Sequence, residues 1–194
     1  MVSEVYQLKI TLRDTTPPVW RRILVPGSMR LDHLHVAIQI AMGWTNSHLY
    51  QFEVGRAIWG EPEADFFGDS GTQKASKATV SQVLPNEKSS ITYVYDFGDD
   101  WKHRVTAEKI LPATASLELP VCMAGKRACP PEDVGGAFGY EDFLEKIQDP
   151  EHEEHQDMVE WAGEGFDPES FELAEINDGL RAFFSKPKRK TSRK

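Results

Sequence analysis

Two alternating runs, Ile91-Thr-Tyr-Val-Tyr-Asp-Phe97 and Trp101-Lys-His-Arg-Val-Thr-Ala-Glu-Lys-Ile110, flank Gly98-Asp99-Asp100, and no other feature constrains the fold of this chain as tightly. Strands that meet at an Asp/Gly reversal form an antiparallel hairpin, because Asp bonds its own local backbone and Gly takes positive φ without steric cost. Tyr93, Tyr95, Phe97 and Trp101 would supply cross-strand aromatic packing. A second hairpin is legible near the N-terminus. Residues 5–12 set Val5, Gln7 and Lys9 against Tyr6, Leu8, Ile10 and Leu12, and Val19–Val25 follows a Thr15-Thr-Pro-Pro18 break. His48-Leu-Tyr-Gln-Phe-Glu-Val54 reads as a further half-buried strand.

Between these strands lies a helical pattern. Ser28 is placed to cap a helix over 29–42, in which Leu31, Leu34, Ile38 and Ala41/Met42 recur at helical spacing before Gly43. Residues 55–78 read as a surface excursion, and Val80–Leu84 as a short helical turn. Three helices are predicted at Gly139–Ile147, Glu151–Trp161 and Ser170–Phe184, the last with Asp167 as N-cap and Pro168 at the first helical position. Strands first and helices last make an α+β pattern. The expectation is a mixed or antiparallel sheet with one N-terminal helix packed on it. A helical C-terminal part, about 139–184, completes a single domain over 1–184, and residues 185–194 form a basic, disordered tail.

At 194 residues and 40% hydrophobic content the chain is long and apolar enough to bury a core. It has no membrane-length apolar run, and its first residues lack the features of a signal peptide. Two cysteines are too few for a disulfide scaffold, so the expected setting is cytoplasmic. The net charge of -9 conceals an asymmetry. Residues 141–178 hold fifteen of the 31 acidic residues against Lys146 alone, whereas Lys186–Lys194 carries six basic ones, which leaves -15 on the remainder. Such a body repels phosphate backbones, so nucleic acid would be touched weakly and only through the tail.

Two thiols, Cys122 and Cys129, precede Pro130-Pro131 and Gly135-Gly136, and His152 and His155 follow. Histidines three apart share a helix face. If the pairs converge, they form a closed structural zinc site. The other reading is that the thiols are buried as small hydrophobes while the histidines lie on a solvated acidic face. Asp96 and His103 flank the hairpin turn as a carboxylate–imidazole pair for acid–base work, with Asp99 beside them. Turn chemistry accounts for the same residues. Trp101, Arg21 and Arg22 are of the types that dominate binding hot spots, while core packing and pairing with the acidic helices are their ordinary uses. No Gly-x-Gly-x-x-Gly, Walker loop or Gly-x-Ser-x-Gly elbow occurs.

Six segments in order carry a family resemblance: Tyr6–Ile10 with Pro18–Arg22, Leu34–Trp44, His48–Phe52, Tyr95–His103, Ala128–Gly136 and Phe166–Phe171. The chain resembles the plasmid pRiA4b Orf-3-like family, of the MM3350-like fold, over roughly residues 4–182. The resemblance implies a compact α+β fold and brings no established activity. Some members carry a transposon resolvase label and travel with mobile elements. Recombination needs a nucleophilic Ser or Tyr among arginines and a basic DNA surface, and this sequence offers neither.

Three functions follow from these readings. The leading one is a non-catalytic binding or adaptor module whose acidic helices meet a basic protein partner. The alternative is a metal-dependent hydrolase or nuclease-like enzyme built from some of Asp96, Asp99, His103, Cys122, Cys129, His152 and His155. The third is a DNA-associated accessory protein acting through the tail.

Overall fold

The computed structural model describes residues 4–62, 71–113, 118–163 and 165–185. In chain order these form β1 (Glu4–Leu12), β2 (Trp20–Pro26), α1 (Leu31–Met42), β3 (Tyr50–Val54), β4 (Ala57–Gly60), β5 (Gln73–Lys74), α2 (Val80–Val83), β6 (Ser90–Tyr95), β7 (Trp101–Pro112), β8 (Val121–Lys126), α3 (Gly136–Gln148), α4 (His155–Ala162) and α5 (Leu173–Phe184). One sheet contains all eight strands in the order β5-β4-β3-β6-β7-β1-β2-β8. Its pairs are antiparallel except β4 with β5, so the sheet is mixed and the fold is α+β. The tail beyond Ser185 lies outside the described residues.

Alternation decides which face is covered. Tyr6, Leu8, Ile10 and Leu12 of β1 are at most 2% exposed, as the sequence pattern requires, and α1 lays Leu31, Leu34, Ala37, Ile38 and Ala41 into the same core. Burying a leucine or isoleucine of this kind contributes about 1.5–3 kcal/mol. The other face of the sheet is polar. There Arg22 grips Glu108 with two hydrogen bonds of 2.6 and 2.9 Å, and Gln7 donates to the same carboxylate at 2.8 Å. Arg22 therefore pairs within the sheet and not with the acidic helices.

The β6–β7 register pairs Tyr93 with His103 and Tyr95 with Trp101. β6 stops at Tyr95, so the reversal is Asp96–Asp100, closed by Asp100 N–H donating to the Asp96 carbonyl at 2.7 Å. It is longer than the sequence reading placed it, and Phe97 lies 50% exposed outside the aromatic ladder. The predicted excursion at 55–78 contains β4 and β5, while residues 63–70 lie outside the described set.

Four helix starts differ from the sequence reading; α3 begins at Gly136, three residues before the predicted Gly139. α1 begins after Arg30, because the Leu31 N–H donates to the Ala78 carbonyl and holds the chain extended past Ser28. Asp167 caps a turn, its carboxylate taking the Glu169 N–H at 2.9 Å, and α5 starts only at Leu173. α4 starts at His155, which leaves His152 in the preceding turn. α5 then covers the edge strand β8: Asn177 receives the Cys122 N–H at 2.7 Å and donates to the Cys122 carbonyl at 3.0 Å. No helix among the described residues is long and apolar enough to cross a membrane.

The Arg22 hydrogen bonds hold the Glu108 carboxyl down at about 2, well below its usual 4.5. A depressed folded value stabilises the protein above the unfolded value, and that contribution is lost as pH falls from about 5 toward 2. Glu108→Gln should lower stability at pH 7 by on the order of 1 kcal/mol. In denaturant titrations the gap from wild type should close by pH 2, and a gap that persists at pH 2 would contradict this account.

Candidate functional site

Three loops meet at one end of the sheet: Trp44–Leu49 after α1, Asp96–Asp100 between β6 and β7, and Pro130–Gly136 between β8 and α3. Tyr95, the last residue of β6, fastens two of them. Its hydroxyl accepts the backbone N–H groups of Ser47 at 3.1 Å and His48 at 3.3 Å, and donates to Glu132 at 2.6 Å. Glu132 also receives the Thr45 hydroxyl at 2.5 Å and the Ser47 hydroxyl at 3.3 Å. Burial of the Glu132 carboxyl opposes its ionisation, but the hydrogen bonds from Thr45 and Tyr95 outweigh that and lower its pKa. Burial together with the Glu132 hydrogen bond pushes the Tyr95 hydroxyl up to about 12.

A closed ring of hydrogen bonds holds the first loop from the helix side. Gln39 donates to the Tyr93 hydroxyl at 2.9 Å, and Tyr93 lies 2.7 Å from His35 Nδ1. His35 Nε2 is 2.5 Å from the Asn46 side-chain oxygen, and the Asn46 N–H returns to Gln39 at 3.1 Å. Donors and acceptors match all round with His35 neutral and its proton on Nε2; burial favours the neutral form by lowering the pKa to about 4. Asn46 takes φ 61 to complete the ring.

The second and third loops touch through backbone. Asp99 accepts the Gly135 N–H at 3.2 Å, and a Cβ on Gly136 would stand 2.5 Å from the Asp99 carbonyl oxygen. Gly136 also has φ 71, whereas a Cβ on Gly135 (φ 93) meets nothing nearer than 3.7 Å. Both substitutions to Ala carry the left-handed penalty of about 1–2 kcal/mol, but Gly136→Ala must also part the two loops. It should lower stability by at least about 1 kcal/mol more than Gly135→Ala, beyond the shared strain. Equal losses in thermal unfolding would show that the loops do not press together here.

At the junction His48 stands between two carboxylates. Its Nδ1 is 3.6 Å from Asp96 and its Nε2 is 3.3 Å from Asp133. The three groups offer ligand atoms all within 4.8 Å of one another, and they form the one such trio among the described residues. Asp96 is 8% exposed, while the Asp133 side chain, at 73%, faces solvent. Asp96, Asp100 and Asp133 all have positive φ, and strain of this kind gathers at ligand-binding positions.

The residues singled out from sequence are distributed differently. Asp96 and Asp99 belong to this corner, but His103 does not, because the strand register sets it opposite Tyr93. His103 is fully buried, with Nδ1 3.4 Å from the Tyr93 carbonyl, and burial lowers its pKa to about 4. Trp101 is 2% exposed within the core. Arg21 is equally buried and clamps backbone, donating to the carbonyls of Ala41, Trp20 and Lys126. Neither it nor Trp101 presents a binding surface.

The two thiols and two histidines do not gather. Cys122 lies under α5, and Cys129 packs on Met42 with sulfurs 3.1 Å apart. His155 turns its Nδ1 to the Lys146 carbonyl at 3.0 Å, and His152 Nδ1 takes the Glu154 N–H at 3.0 Å. Each has a local partner, and His152 is off the helix that was to align it with His155. His48 and Asp133 went unrecognised as site residues, although each lies in a segment quoted for the family resemblance. The signal was available in the clustering of motifs with one polar group apiece, but not in any local spacing.

A sealed histidine makes stability depend on pH. The unfolded imidazole protonates near 6.5 and the folded one only near 4, so stability falls as pH drops through that interval. His103 and His35 share this behaviour. His103→Phe should remove on the order of 3 kcal/mol of the decline between pH 6.5 and 4. An unchanged slope in urea titrations would mean that His103 is open to solvent protons.

Beyond the corner the chain enters α3 and α4. Between residues 141 and 160 nine carboxylates are all exposed, and Lys146 is already held by Asp142 at 2.8 Å and Glu154 at 2.6 Å. Phe138, 84% exposed, and Trp161, 48% exposed, flank this acidic stretch.

Comparisons with known proteins place this architecture. The chain is 39% identical over 195 residues to an uncharacterized protein, y4hQ, of Sinorhizobium fredii (strain NBRC 101917 / NGR234), with the full length of both covered. It is similar to the crystal structure of MM3350, a protein of unknown function from Methanosarcina mazei Go1. That likeness has a TM-score of 0.79 and 41% identity, across 89% of this chain and 97% of the other. Residues 4–175 match the family described as plasmid pRiA4b ORF-3-like protein, and the chain belongs to that family.

Proposed function

We propose that this chain is a non-catalytic binding module, an adaptor whose acidic helices α3 and α4 receive a basic protein partner. One observation carries the reading: the nine exposed carboxylates of residues 141–160 have Lys146 as their only nearby cation in sequence, and Lys146 is already engaged by two of them. The rest of the charge is free to steer a basic surface. Phe138 and Trp161 supply exposed aromatic area of the kind that anchors such contacts. The thiols add no support for a nucleophile, since burial raises Cys122 and pushes Cys129 up to about 12. A second reading, the metal-dependent hydrolase, draws on the His48 corner. It requires turnover of ester or phosphoester substrates by protein loaded with zinc or manganese.

The binding reading is tested by titrating a ten-residue Lys/Arg-rich peptide into 15N-labelled protein. Saturable shifts should map to Gly136–Ala162 and weaken as salt rises from 50 to 300 mM. Glu145→Lys with Glu153→Lys should weaken binding several-fold. Shifts confined to other surfaces, or no saturation, would remove this reading.

A further inference from the structure

The His48 corner is separate from the acidic helical face, and its chemistry is more specific than charge. We propose that His48, Asp96 and Asp133 bind a divalent first-row transition ion of the zinc or manganese class. The donors come from three different loops, yet their ligand atoms lie within 4.8 Å of one another; bonds of about 2.0–2.2 Å in a tetrahedral array would set them roughly 3.4 Å apart, so the ion draws the carboxylates inward, Asp133 most freely because its side chain is exposed.

Two further observations point to a missing ligand. His48 Nε2 is shielded from solvent and makes no hydrogen bond, although Asp133 is 3.3 Å away. Asp96 is nine-tenths buried. Its Oδ1 takes the Gly98 N–H at 2.9 Å, while Oδ2 receives no hydrogen bond among the described residues and faces His48 Nδ1 at 3.6 Å. A carboxylate this far from solvent favours a positive group beside it. No lysine or arginine of the described residues pairs with Asp96 or Asp133, so the local charge calls for a cation.

The donor set selects among ions. Carboxylate oxygens alone suit calcium, magnesium or manganese, and an imidazole nitrogen shifts the preference toward zinc, with manganese held more weakly. An ion takes one ring nitrogen, and Nε2, the unbonded one beside Asp133, is the donor; Asp96, which faces Nδ1, turns its second oxygen toward the ion, while the Tyr95 hydroxyl holds the His48 backbone. Because Asp133 faces solvent, the ion's remaining positions open outward to water or to an oxygen of a ligand.

The test is equilibrium dialysis of the full, untagged, chelator-stripped chain against Zn2+, Mn2+ or Ca2+, with bound metal counted by mass spectrometry. Wild type should bind one Zn2+ per chain, Mn2+ more weakly, and Ca2+ not at all. Asp133→Asn, an exposed change that leaves the fold intact, should weaken zinc at least 10-fold, and His48→Gln should abolish stoichiometric binding. Cys122→Ser and His155→Ala should bind as wild type does. No zinc on wild type, or zinc that survives both His48→Gln and Asp133→Asn, overturns the proposal and leaves His48 as an ion-pair partner of the two aspartates. Zinc lost in Cys122→Ser or His155→Ala but kept in Asp133→Asn overturns it equally. The peptide titration reports on the helical face independently, so either reading can fail without the other.

Discussion

The Tyr95 hydroxyl is where the sheet meets the loops at its end. It uses its proton on Glu132 and its lone pairs on the Ser47 and His48 amides, so one side chain joins β6, the loop after α1 and the loop before α3. Each such bond adds only about 0.5–1.5 kcal/mol net. Leaving a half-buried carboxylate and two amides without that partner costs more than the bonds contribute. The His48–Asp96–Asp133 geometry depends on this joint, because His48 is held by its backbone and Asp133 adjoins Glu132. Asp96 directly follows Tyr95, with its N–H on the Leu49 carbonyl.

Much of the sheet was legible because alternation is a local signal. Tyr6, Leu8, Ile10 and Leu12 declare their face without reference to any partner, as do Tyr93 and Val105 in the central hairpin. The start of α1 was not legible. A serine at the right spacing cannot reveal that residue 31 will be bonded to residue 78. The signal at Asp167-Pro168 was likewise used by a turn. Cap chemistry serves turns and helices alike, and tertiary contacts decide between them.

The corner was half visible. Asp96 and Asp99 stood out, but the imidazole that meets Asp96 is 48 residues away in sequence and not across the hairpin. Local reasoning favoured His103 because it is near in sequence. The strand register excludes it: with Tyr95 opposite Trp101, His103 falls two pairs back, inside the core. The thiols and the His152–His155 pair failed for a related reason. Spacing measures separation along the chain, and the topology sends Cys122 under α5 and His155 toward α3.

Two neighbouring regions differ in chemistry. A rigid corner presents an imidazole and two carboxylates, while an exposed helical pair carries diffuse negative charge. The corner's rigidity is the central claim, and amide hydrogen exchange on Tyr95→Phe tests it most directly. The account predicts that Asn46–Leu49 and Glu132–Gly135 lose protection together while β1 and β7 keep theirs. Loss confined to one of the two loops, or no change in either, would contradict it.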